Sequence, residues 1–104
     1  MATKVQIIFD YGKALAVSAY INDTAGDIEK KVQEKLSNTN IELKNSWQGE
    51  NANEFLKKAE TIEGKLGQCV TDLYSIADTV AQIAKNIYDA EMASLEVLES
   101  ESSS

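Results

Sequence analysis

A chain of 104 residues, 43% hydrophobic and 26% charged, has room for one domain with one modest core. It contains no Pro, no His and a single Cys, Cys69, which excludes an internal disulfide, histidine metal sites and the His-dependent arrangements of nucleophilic catalysis. The net charge is −7 and the bases are not clustered, so no nucleic acid partner is expected; with no His and a single Cys, no enzyme activity or cofactor is expected either.

The opening stretch, MATKVQIIFDYGKALAVSAY, does not read as a secretory leader, because Asp10 and Lys13 interrupt its apolar residues and Lys4 is its only early charge. Nor does any apolar run reach the length of an integral membrane segment. VQIIF fits either an extended arm or a first helical turn. From about residue 10 to 44 a helix is expected. Leu15, Ala25, Ile28, Val32, Leu36 and Leu43 recur at helical spacing, with Ser18, Asn22 and Thr39 at weaker points of the stripe. Asp27 lies three and four residues before Lys30 and Lys31, which supports a helix there. Gly12, Gly26 and the INDT stretch mark residues 20–26 as a place for a kink.

Residues 45–50, which include Trp47-Gln48-Gly49, form the expected turn. A connection this short makes the flanking helices antiparallel neighbours. The second helix is expected over about 51–98, started by an Asn51–Glu54 capping box and supported by a Glu54–Lys58 pair. Without proline to stop it, it would run on the order of 60–70 Å.

Alternate steps of four and three through this segment meet Phe55, Ala59, Ile62, Leu66, Cys69, Leu73, Ile76, Val80, Ile83, Ile87 and Ala90, all apolar. That 3.5-residue repeat is a packing or dimer seam, within which Cys69 reads as a small buried hydrophobe. Leu56, Val70, Ala77 and Ala84 fall one residue after alternate seam positions and widen the stripe. A helix touching more than one neighbour needs that width. No base follows Lys85, whereas Asp89, Glu91, Glu96, Glu99 and Glu101 follow it, and residues 99–104 read as a frayed acidic tail.

These features define an all-α fold, one antiparallel two-helix hairpin domain over residues 1–104. A long hairpin of this size has one internal interface and leaves apolar surface wet, so pairing into a four-helix bundle is expected. The occupant would be a second copy or a similar hairpin.

A Trp-x-Gly turn, Trp47-Gln48-Gly49, between two long helices in a chain near a hundred residues resembles the W-x-G family of small Esx-type proteins of type VII secretion. The resemblance covers essentially the whole chain. It implies a secreted, non-enzymatic protein without a cleaved leader, made in the cytoplasm and acting through dimerisation and contact with the type VII secretion machinery. It also implies a recognition role for Trp47 and Gly49 beside their structural one. Family members commonly carry a Tyr with an acid four residues later near the end of the second helix. Here Tyr88 is followed by Glu91 at the third residue, and Tyr74–Asp78 keeps the spacing deeper in the helix. Tyr88 and Glu91 are the candidate export element, and the departure leaves open whether the signal is this chain's or its partner's. Two other readings compete: a targeting partner for the helical N-terminal region of a larger exported toxin, and a cytoplasmic coiled-coil adaptor with a coincidental W-x-G.

Overall fold

The computed structural model describes residues 3–103, and side chains as far as residue 101. Every element among them is helical: α1 (Lys4–Ile28), a π-helical turn (Glu29–Gln33), α2 (Glu34–Ser46) and α3 (Glu50–Ser103). The all-α hairpin read from the sequence is the observed fold.

The first helix starts six residues ahead of the expected position. Thr3 explains why: its Oγ1 accepts the Gln6 backbone N–H at 3.2 Å, and its carbonyl accepts the Ile7 N–H at 2.9 Å. A side-chain oxygen bonded to the third helical N–H is an N-cap, and Thr-x-x-Gln is the sequence form of a capping box. The VQIIF stretch is therefore helical. Residues 20–26 lie inside α1, which runs on to Ile28, so no helix starts there.

The irregularity comes one turn later, at the π turn, where the Glu34 N–H bonds to the Glu29 carbonyl. A π turn inserts one extra residue into the helical ladder and rotates the residues beyond it about the axis. Before it, Ile7, Tyr11, Ala14, Ser18, Ile21 and Ala25 face inward at steps of four and three. After it, the inward positions are Gln33, Leu36, Asn40 and Leu43. Val32, expected on the buried stripe, is turned out to solvent by this shift.

At the far side of the turn, α3 begins at Glu50, one residue before the expected Asn51 cap, so Asn51 lies inside the first turn. The Gly49 carbonyl accepts the Asn53 N–H at 3.0 Å, and Glu50 places an acid against the positive helix end. The helix continues to Ser103 across most of the expected tail; Ser104 lies outside the described residues.

Contacts gather the chain into two compact units, residues 22–74, and residues 1–21 with 75–104. In the first unit, which contains the turn, Ala25, Ala52, Leu56, Ala59 and Val70 are buried. Tyr74 reaches across Gly26, its hydroxyl 3.5 Å from where a Cβ there would stand. Asn40, the one buried polar residue among those described, donates through Nδ2 to Glu63 Oε2 at 3.2 Å, which offsets the cost of removing its amide from water. In the second unit Ile7, Ala77 and Ala84 are buried, and the Ser18 hydroxyl donates to the Ala77 carbonyl at 2.7 Å. The expected support from Asp27 is present as an exposed pair with Lys31 at 3.9 Å, a geometry that contributes little.

Alanines make up most of the buried apolar residues described, Ala25, Ala52, Ala59, Ala77 and Ala84, beside Ile7, Leu56 and Val70. Alanines at the contact let two helix backbones approach closely, but they remove little apolar area from water.

Two glycines give opposite expectations. A Cβ on Gly64 meets nothing within 4 Å, so Gly64→Ala should raise stability by about 0.8–1 kcal/mol through helix propensity. Gly49 has φ of 118°, so Gly49→Ala should lower stability by about 1–3 kcal/mol. Urea unfolding followed by circular dichroism checks both signs.

Candidate functional site

The W-x-G turn is built by opposing backbone requirements on either side of Trp47. The Trp47 N–H still bonds to the Leu43 carbonyl at 2.8 Å, closing α2, while its own φ of −120° and ψ of 123° are extended. The Ser46 hydroxyl back-bonds to the Glu42 carbonyl at 2.6 Å. Gly49 then supplies the left-handed backbone that starts α3. Trp47 leans on Phe55, with ring centroids 5.5 Å apart and planes tilted by 51°, a favourable aromatic geometry. It does not plug the core: 43% of its surface stays exposed. Beside it lies a cleft of about 600 Å³ whose lining includes Lys44, Leu56 and Lys57.

Phe55, Ile62, Ile76, Ile83 and Ile87 of the seam keep between 48% and 59% of their surface exposed. Leu66, Leu73 and Val80 are half-buried. Internal contact is made by the widening positions Leu56, Val70, Ala77 and Ala84, all buried, together with Ala59 of the seam. Cys69 is exposed and free, where the seam reading had it buried. It stands seven residues from Ile62 and Ile76, on the outward side of the same helix.

In the unit formed by residues 1–21 and 75–104, Tyr88 is half-buried and Glu91 exposed. Tyr88 stacks on Tyr11, with centroids 4.6 Å apart and an interplanar angle of 28°. One residue further, Asp89 pairs with Lys85 at 3.0 Å, and that hydrogen bond and its charge hold the Lys85 ammonium above its ordinary pKa. Tyr74, the other tyrosine with an acid four residues on, is half-buried and engaged over Gly26 in the other unit.

Tyr11 is the site residue that the sequence reading missed. The signal for it was the 4-3 series Ile7, Tyr11, Ala14, Ser18, which places it on the inner face of α1. A double-mutant cycle of Tyr11→Ala and Tyr88→Ala should give a coupling of about 0.5–1.5 kcal/mol in chemical denaturation, and additive single effects would show the rings to be energetically independent. The same cycle on Trp47 and Phe55 should give a coupling of similar size.

Among the described residues, no group of His, Cys, Asp or Glu side chains could hold a metal ion, and no helix is long and apolar enough to cross a membrane. Each aromatic site is apolar surface flanked by charge.

Comparison with curated proteins finds no match, and comparison with solved structures finds none either. A family model, described as proteins of 100 residues with WXG, matches residues 6–92 and spans both helices and the Trp47-Gln48-Gly49 turn. The chain belongs to this WXG100 family, the small, helical, non-enzymatic proteins associated with type VII secretion.

Proposed function

We propose that this protein is a substrate of a type VII secretion system, made in the cytoplasm, folded as a dimer and exported in that state without a cleaved leader. The observation that carries the reading is the exposed apolar residues of α3 in a family member that already has its internal helix contacts filled. Fully burying one Ile or Phe is worth about 1.5–3 kcal/mol, so covering even part of this surface outweighs the ordering of a few side chains. A second copy or a similar hairpin offers the matching stripe and would complete a four-helix bundle.

In this reading Trp47 and Gly49 present the turn to the export apparatus, and Tyr88 with Glu91 forms the second contact. Support for Trp47 is its exposure, which a purely structural plug would lack. Support for Tyr88 and Glu91 is that both line one cleft.

A second reading, a targeting partner for a larger exported toxin, is favoured by the exposed Val5, Ile8, Phe9, Val17 and Tyr20 on α1. A helical toxin segment could cover that additional face.

In the native host, the protein should accumulate in culture medium and should be lost from it when the secretion ATPase is deleted. Trp47→Ala should reduce export at least about tenfold while leaving most of the intracellular protein folded, because its aromatic contact with Phe55 is worth only about 0.5–1.5 kcal/mol. Export that continued without the ATPase would contradict the proposal. Recovery of the protein only as a stoichiometric complex with a larger exported chain would favour the second reading.

A further inference from the structure

We infer that the cleft between the start of α1 and the second half of α3 is a receptor for one arginine side chain supplied by a different protein. The cleft has a volume of about 200 Å³. That is below the roughly 300–1,000 Å³ of small-molecule pockets and on the scale of a single inserted side chain. Its floor is apolar, with Ile7, Ala14, Ala84 and Ile87 among the lining. Its remaining lining is the stacked pair Tyr11 and Tyr88, together with the carboxylates of Asp10 and Glu91.

An apolar floor suits an aliphatic stem, aromatic faces attract a cation, and two carboxylates call for positive charge at the tip. The unit's own bases do not supply it. Of Lys4, Lys13 and Lys85, none lines the cleft. Lys13 Nζ sits over the Phe9 ring at 4.8 Å, and Lys85 is held by Asp89. Arginine fits better than lysine, because its planar guanidinium stacks on tyrosine and can bridge separate carboxylates. The sequence contains ten lysines and no arginine, so a second copy cannot provide this group. The occupant is therefore an arginine-bearing surface of another protein, which extends the role proposed above for Tyr88 and Glu91. It rests on that reading only for where the partner acts, since binding at the cleft is measured without any secretion apparatus.

The probe is n-butylguanidinium, with n-butylurea as its uncharged counterpart of similar shape, titrated into the full chain and followed by NMR. The guanidinium should shift the methyl signals of Ala14, Ala84 and Ile87 and the ring signals of Tyr11 and Tyr88, saturably and at least about tenfold more tightly than the urea. The double variant Asp10→Asn with Glu91→Gln, with its helix content checked, should bring the two probes within about twofold. Equal binding of both probes, no saturable shift, or a preference that survives in the double variant would overturn the inference. So would movement of the Ala14, Tyr11 and Tyr88 signals on simple dilution of the protein, which would show a second copy seated in the cleft; Ile87 is left out of this control because it also lies on the α3 stripe proposed above to pair. Loss of export dependence on the ATPase would leave these titrations untouched, so the two proposals fail separately.

Discussion

Small residues at the internal helix contacts are the constraint on which the rest of this molecule depends. In the unit around the turn, Ala25 meets a face of α3 that buries Ala52, Leu56, Ala59 and Val70. In the other unit the buried residues are Ile7 of α1 and Ala77 and Ala84 of α3, and the Ala77 carbonyl accepts the Ser18 hydroxyl. Alanine contacts allow close approach at small apolar gain, and bulky residues of α3 are left exposed. Phe55, Ile62, Ile76, Ile83 and Ile87 are consequently a surface, not a core. One face of the helix is buried within the chain, and exposed apolar residues lie beside it.

Much of this was legible in the amino-acid order. The 3.5-residue repeat of α3 and the absence of Pro called for one long helix, and the parallel run of Leu56, Val70, Ala77 and Ala84 called for a second contact face. The assignment of those two faces to internal and external contact was not legible, because periodicity gives angular spacing but not which flank is nearest the neighbouring helix. The first helical stretch was harder for a physical reason. Its π turn at Glu29–Gln33 breaks the phase of the apolar stripe, so a pattern read with one continuous phase places Val32 inside, whereas the chain buries Asn40 and turns Val32 out. The start of α1 was encoded by Thr3 and Gln6, a short-range signal that hydrophobic periodicity does not weigh.

The site was partly visible in the same way. Trp47 and Gly49 were identifiable because a Trp-x-Gly stands in a short turn between two long helical stretches, and Gly49 holds a positive φ there. The partners that fix the aromatic residues, Phe55 for Trp47 and Tyr11 for Tyr88, lie across a turn or across a helix pair. Tyr11 and Tyr88 are far apart in sequence, and no spacing rule joins them. Membership in the WXG100 family ties the chain to type VII secretion, and the structure adds an acidic and aromatic cleft and an exposed apolar flank.

Sedimentation equilibrium of the purified chain at micromolar concentration tests most directly whether the exposed flank of α3 is an assembly surface. The account predicts a species at twice the 11.4 kDa chain mass, shifted toward monomer by Ile76→Ser with Ile83→Ser. A monomer that unfolds cooperatively, with stability independent of protein concentration, would contradict it.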